Sequence, residues 1–330
     1  MRPLLIGIIA ALSFCQPLSA YIHFNITERG QSIAVKWQRM PLRWFARNSG
    51  VPGVTASDFQ AAVLRAFGTW QALPTASISF QFAGFTGAEP FDDDGISVVG
   101  FQNNPGMDRV LGATGFVVDV ITGEIIESDI FFNSAFPWST ATAGDPFRFD
   151  LESVAVHEIG HFLGLGHSAL GETEVDATGD RRVLASGAVM FPISFGRGVT
   201  RDRELQPDDI VGASDLYPDG DFERDTGVVR GRVTRNGVGV LGAHVIAFNP
   251  ETGHLIAAFT LTRNGDFEIA GLTPGPHIIR VEPLDDGDVG SFFDATDPID
   301  IAFRVAFHDR LAVAPRGGAG DAISVVVQPK

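Results

Sequence analysis

Apolar side chains at Phe59, Ala62, Val63, Ala66, Phe67 and Trp70 recur at three- and four-residue spacing, the stripe of a helix with one buried face. Thr55 and Asp58 precede the stripe at the spacing of a capping box, and Pro74 ends it. A second helix is predicted from an Asp150 N-cap through Leu163, stopped by Gly164 and Gly166. A third is predicted from Gln206 to Tyr217. Pro207-Asp208-Asp209 opens it, where acids meet the positive end of the helix dipole, and Pro218 closes it. Val35–Phe45, which carries Trp37 and Trp44, has strand-like character. Further strand-like runs lie at Ile78–Phe82, Ile96–Phe101, Gly115–Val120 and Glu124–Phe132, with Gly, Pro and Asp turns between them. Leu170 to Gly187, rich in Gly, Asp and Thr, reads as a loop.

The pattern changes after a short polar stretch, Asp219 to Thr226. Beyond it come short strands at Val228–Val233, Ala243–Phe248, Leu255–Leu261, Asp266–Ile269, His277–Val281 and Ile323–Val327. Arg235-Asn236-Gly237, Pro250-Glu251-Thr252-Gly253 and Arg263-Asn264-Gly265 read as the turns between them. Regular short strands without a helix indicate a β-sandwich. The expected fold class is α+β over residues 21–218, followed by a linker at 219–226 and an all-β domain at 227–330.

The N-terminus has the form of an export signal: Arg2, a short apolar run from Leu4 to Phe14, and small residues at Leu18-Ser19-Ala20. Residues 1–20 are therefore expected to be removed, with the mature chain secreted and beginning at Tyr21. That run falls short of the roughly 20 apolar residues a bilayer span requires. Cys15, the only cysteine, lies inside the signal. It reads as an apolar residue of that run rather than a lipid-attachment site, because bulky Phe14 precedes it. The mature chain then has no disulfide. A formal net charge of −16 argues against nucleic-acid binding, which needs a basic footprint, and against an anionic membrane surface. The expected state is a monomer whose partner is a protein or peptide substrate.

The chemistry concentrates at Val156-His157-Glu158-Ile159-Gly160-His161-Phe162-Leu163-Gly164-Leu165-Gly166-His167-Ser168. Residues four apart on a helix share a face, so His157 and His161 can reach one ion. Gly164 lets the chain turn sharply, so that His167 swings back as a third ligand. Three nitrogens leave the fourth tetrahedral position open, the mark of a catalytic zinc site. Zn²⁺ lowers the pKa of water to about 7 and polarises a carbonyl. Glu158, beside the ion and not on it, is placed as general base and then general acid. Five fixed residues at roughly 5% each give on the order of 10⁻⁴ chance matches in a chain of this length.

These residues resemble the catalytic domain of the matrixins, the matrix-metalloprotease branch of the metzincin zinc proteases. The resemblance extends to Ala188-Val189-Met190-Phe191-Pro192, to Asp208-Asp209-Ile210 through Leu216-Tyr217, to Ser128–Asn133 and to the Trp37/Pro41 region, roughly residues 28 to 218 in all. It implies that Met190 forms a hydrophobic floor beneath the zinc without ligating it. It also implies that Val110 to Phe116 is an edge strand pairing with an extended substrate. The chain departs from the family pattern in three ways. The mature sequence has no cysteine to hold the zinc latent, nor room for a usual prodomain before the first strand. No histidine lies between His23 and His157, so the structural zinc of animal relatives is not expected. The His167–Met190 segment is longer than usual and carries Glu172, Glu174, Asp176, Asp180, Arg181 and Arg182. It is expected to stay solvated, with calcium binding or closure over the cleft as alternatives.

Calcium is a candidate without an assigned site; Asp92-Asp93-Asp94 and Asp285-Asp286-Asp288 offer hard oxygens but no full EF-hand loop. Residues 227–283 resemble carboxypeptidase-regulatory-like or transthyretin-like sandwiches through Gly231-Arg232-Val233, Gly242–Val245, Thr252-Gly253, Asn264–Phe267 and Gly271–Gly275. That resemblance implies an accessory role. His244, His254, His277 and His308 lack ligand spacing. The expected function is endoproteolysis with zinc on His157, His161 and His167. The rivals are a zinc hydrolase of cell-wall peptides and an adhesion protein whose protease domain is idle.

Overall fold

The helix stripe read from the sequence is the face that the fold buries. In the computed structural model, which describes residues 5–7, 23–28, 31–107, 109–175, 177, 181–193, 196–294 and 296–330, helix α1 spans Ala56–Gln71. Its buried residues are Phe59, Ala62, Val63, Ala66, Phe67 and Trp70. The capping box forms: Asp58 N–H donates to Thr55 Oγ1 at 3.1 Å and Thr55 N–H to Asp58 Oδ2 at 3.3 Å, satisfying two donors the helix cannot use itself. Helix α2 is Leu151–Phe162, with Asp150 as N-cap accepting from Ser153 N–H at 2.9 Å. Helix α3 is Pro207–Leu216.

A mixed sheet lies against α1 and α2. Its six strands run in the order Leu5–Gly7, Gly112–Val118, Ile125–Asn133, Val98–Gln102, Leu42–Arg47, Phe80–Thr86; Gly112–Val118 is antiparallel to both its neighbours and the other pairs are parallel. One core holds α1, α2 and the sheet together. Trp44 stacks on Phe67 with ring centroids 4.6 Å apart, and Trp70 Nε1 donates to the Val156 carbonyl at 2.8 Å, tying α1 to α2. At the crossing of these helices Gly160 leaves room for a third partner. A Cβ built there would lie 2.2 Å from Met190 Sδ and 3.0 Å from Trp70 Cζ2. The leader, residues 1–20, lies outside the described residues except for Leu5–Gly7, whose backbone pairs antiparallel with Phe116–Val118. No helix among the described residues is long and apolar enough to cross a membrane.

Three expectations change. The run Val35–Phe45 is not one strand: Gln31–Ala34 and Leu42–Arg47 are separate strands on either side of a bend. The expected linker contains a short helix, α4, Phe222–Asp225, whose Phe222 is buried. The expected loop 170–187 holds an antiparallel hairpin of Gly171–Val175 and Arg181–Ser186; Asp176 and Asp180 of that stretch lie outside the described residues.

After Gly227 the regular elements are strands and one short 3₁₀ turn. Two sheets form, one centred on Gly227–Arg235 with Asp266–Leu272, the other on His244–Phe248 between Leu255–Phe259 and Gly275–Glu282. Their inward residues, among them Val233, Phe267, Ile269, Val245, Ile279 and Val281, make a second core. Val211 of α3 and Phe222 of α4 belong to that core as well, so the two parts of the chain share apolar packing. Asp208 bridges them by polar contacts: Ser168 Oγ donates to its Oδ2 at 2.6 Å and Ala257 N–H to its Oδ1 at 2.9 Å. Burial pushes the Asp208 carboxyl up to about 8, against the pull of these two donors.

Two outcomes follow. In Gly160→Ala, overpacking of about 1–3 kcal/mol exceeds the ~1 kcal/mol helix-propensity gain, so the urea midpoint is expected to fall; a rise would show that Met190 yields freely. For Asp208, a folded-state pKa above the unfolded value means the folded state holds the extra proton. Its contribution is therefore full below about pH 4 and lost as pH rises through about 8. Asp208→Asn can keep the Ala257 bond on its carbonyl oxygen and reverse the Ser168 bond, its amide donating to Oγ, without titrating. The stability difference between wild type and this variant is expected to shift against wild type across that window in denaturation series at fixed salt. A pH-independent difference would remove the claim.

Candidate metal centre and cleft

His157 and His161 lie on one face of α2, and His167 returns from beyond the helix end. The return needs Gly164, which has φ +100°; a Cβ there would lie 2.2 Å from the Val35 carbonyl oxygen. One ligand-capable atom of each histidine lies within 4.8 Å of the other two, a grouping of a kind that includes no other residues among those described. Each Nδ1 meets a main-chain carbonyl: His157 with Val189 at 2.8 Å, His161 with Leu165 at 2.8 Å, His167 with Ser291 at 2.9 Å. A carbonyl only accepts, so each Nδ1 carries the proton and each Nε2 keeps a bare lone pair. The Nε2 atoms of His161 and His167 are 3.2 Å apart.

Burial pushes His157 down to about 3, helped by neighbouring His167, and holds His161 well below the usual imidazole range. His167 is lowered by burial against the help of the Ser291 carbonyl. Three neutral, converging imidazoles with tautomers fixed from behind are a donor set that fits Zn²⁺.

Glu158 faces the same cleft from the open side. Its Oε2 accepts from Thr114 Oγ1 at 2.7 Å, and the same hydroxyl is 3.0 Å from the Glu158 carbonyl. Thr114 belongs to the Gly112–Val118 strand, where Gly112 also lies close: a Cβ there would be 3.0 Å from Glu158 Oε1. Burial raises the Glu158 carboxyl to about 7, opposed by the Thr114 hydrogen bond. A carboxylate so poised beside three converging imidazoles suits proton transfer.

Met190 is fully buried against Gly160 of α2. The turn that carries it is hung on Asp209, which accepts from Val189 N–H at 2.8 Å, Met190 N–H at 3.1 Å and Gln206 N–H at 2.9 Å. Asp202 lines the cleft behind this turn, raised by burial to about 6 with Arg201 opposing. The edge expected over Val110–Phe116 is covered at its far end, because Leu5–Gly7 pairs with Phe116–Val118 on the side away from Ile125–Asn133; among the described residues only Gly112–Gly115 of this strand carry no strand partner there.

A loop between the C-terminal strands reaches this site. Asp288 and Ser291 line the cleft with the three histidines. Glu172, Glu174 and Arg182 of the 171–186 hairpin are exposed as expected, while two of its other residues reach the C-terminal loop. Thr173 N–H donates to Asp286 Oδ1 at 3.0 Å, and Arg181 Nη1 donates to the Asp285 carbonyl at 2.9 Å. The acidic run at 285–288 thus has protein partners, with Lys330 on Asp285 as another. In the other run Asp94 accepts from Ile96 N–H at 3.1 Å. Neither run contributes to a metal-capable group among the described residues. Thr114 and Ser291 were not singled out from the sequence, and Asp209 was not read as a support of the Met190 turn. Asp209 read only as a helix-opening acid, and nothing local marks a strand threonine or a carbonyl 124 residues from His167.

Comparison with known proteins agrees with this geometry. Metalloendoproteinase 1 of Glycine max is 33% identical over 174 residues, 48% of this chain and 45% of that protein. Metalloendoproteinase 4-MMP of Arabidopsis thaliana is 28% identical over 192 residues, 55% of this chain and 48% of that one. Matrix metalloproteinase-16 of Rattus norvegicus is 32% identical over 200 residues, 59% of this chain and 29% of its own length. The chain thus spans about half or less of the length of these relatives. The pattern that defines the matrixins matches residues 36–218, more than half of the sequence and all of the segment that builds the histidine cluster, and the chain belongs to the matrixin family.

Proposed function

We propose that the protein is an exported zinc endopeptidase. His157, His161 and His167 hold the ion, and Glu158 moves the proton. The observation that carries this reading is the buried Glu158 carboxylate, held by Thr114 beside three bare imidazole nitrogens and facing an open cleft. Zinc, when bound, acidifies water and polarises the scissile carbonyl. Glu158 takes a proton from the attacking water and delivers it to the leaving amine nitrogen. Thr114 keeps one carboxylate oxygen fixed and leaves the other free for that transfer. The open stretch Gly112–Gly115 receives the substrate backbone as an added strand. Met190 and Gly164 support the site without touching substrate. The two sheets around one core support a carboxypeptidase-regulatory-like sandwich over residues 227–330, with residues 21–218 as the catalytic unit. Residues 1–20 would serve as the export signal.

A diverse peptide library, presented to the zinc-loaded chain beginning at Tyr21, tests the reading. Wild type is expected to cut, chelation to stop it and zinc to restore it. Glu158→Ala is expected to lose about 10²–10⁴-fold in kcat. Thr114→Val loses one hydrogen bond to a charged group, and about tenfold in kcat is expected with KM little changed. Cleavage confined to cell-wall peptides would keep the chemistry and change the substrate. A folded, zinc-loaded protein that cuts nothing, or a fully active Glu158→Ala, would sink the proposal.

A further inference from the structure

His157 and His161 take their carbonyl acceptors, Val189 and Leu165, from within the family segment itself; His167 does not. We propose that the loop Asp285–Phe293 of the C-terminal strands is a working part of the metal site. In this proposal the Ser291 main-chain carbonyl positions His167, and metal retention depends on that loop. The inference rests on the three-histidine reading above.

His167 is the histidine most in need of such help. The other two stand on a helix whose backbone fixes their Cβ directions, whereas His167 follows a glycine turn and sits on irregular chain. Its ring is oriented by what it touches: Ser291 O at 2.9 Å from Nδ1, and the Phe292 ring edge-on with centroids 6.2 Å apart. An acceptor behind a ligating imidazole selects the tautomer, aims the ring and raises its basicity.

The loop that supplies the acceptor is itself held on three sides. Ser291 N–H donates to the Asp288 carbonyl at 2.8 Å and Phe292 N–H to the Val289 carbonyl at 3.0 Å, one tight 3₁₀ turn. Phe292 and Phe293 pack on Phe259 with centroids 5.7 and 5.3 Å apart, in a small core that includes Ala169. The 171–186 hairpin clasps the far side. Thr173 bonds Asp286 through both its N–H and its hydroxyl, Arg181 bonds the Asp285 carbonyl, and Arg181 Nε lies 3.7 Å from Asp288. The longer segment between His167 and Met190 thereby acquires a function: it is the strap that keeps the C-terminal loop against the third histidine.

The test is made on the full chain beginning at Tyr21 and reads zinc itself. Zinc affinity by chelator competition, and the visible spectrum of the cobalt-substituted protein, are compared for four proteins. These are wild type, a deletion of residues 287–290, the double variant Thr173→Val/Arg181→Ala, and Arg230→Ala. The last cuts an exposed ion pair with Glu268 on the other C-terminal sheet. The deletion is expected to weaken zinc binding about 10–100-fold and change the cobalt bands. The strap variant is expected to weaken it less, in the same direction, and Arg230→Ala to match wild type. Circular dichroism reports whether each variant is folded. A folded deletion variant with wild-type affinity and spectrum overturns the proposal. If the deletion does not fold, wild-type affinity in the strap variant overturns it instead. Wild type that takes up no zinc would sink the three-histidine reading itself, an outcome separate from failure of the loop.

Discussion

Three N–H···O=C contacts, one behind each histidine, set the terms for the rest of this structure. A neutral imidazole offers a metal one lone pair, and which nitrogen carries it depends on where the proton is fixed. Here the proton is fixed on Nδ1 three times, by carbonyls from three places: the Met190 turn, the chain just past α2, and the C-terminal loop. None of these carbonyls can drift far without releasing an imidazole. Burial drives the histidines away from the charged form, so their mutual repulsion is avoided and the lone pairs remain available. Much of the surrounding packing serves to immobilise those three carbonyls.

Each is anchored differently. Leu165 is held because α2 is held: Asp150 caps its start, Arg203 pairs with Asp150, and Trp70 bonds its middle. At its end the Tyr217 hydroxyl donates to Leu163 O at 2.6 Å. Val189 is held by Asp209, whose two oxygens take three backbone N–H groups. Ser291 is held by the aromatic seat under Phe292 and Phe293 and by the hairpin strap. The Asp208 bridge then locks the segment after His167 to the strand Leu255–Phe259, in line with the aromatic seat. The C-terminal strands are thus in mechanical series with the third histidine.

What could be read from the chain followed the range of each signal. The stripe from Phe59 to Trp70 and the Asp150 cap act within a few residues, and helices α1 and α2 appear where those signals put them. The histidine cluster was legible because two of its histidines lie on one helix face and a glycine turn returns the third. The hairpin at 171–186 was not, because its sequence is polar and turn-rich. Its strands are stabilised by pairing with each other and by contacts more than a hundred residues away. Thr114 was hidden for the same reason, being an ordinary strand residue until the sheet brings it to Glu158.

The pair Asp208-Asp209 shows how a local signal can be correct and still understate what a residue does. Two acids at the start of α3 read as partners of the helix dipole, a role that exposed side chains fill for a few tenths of a kcal/mol. Both are buried, and burial raises both carboxyls, to about 8 and about 6. Dipole complementarity alone does not compensate for burying two adjacent acids. Each must be matched by directed hydrogen bonds, and the two face opposite ways to obtain them. Asp209 turns towards the Met190 turn, and Asp208 towards Ser168 and Ala257. One helix start therefore braces the Met190 turn on one side and the junction with the C-terminal strands on the other. The adjacency of the two acids in sequence couples the positions of Val189 and Ser168, which flank the cluster from either side.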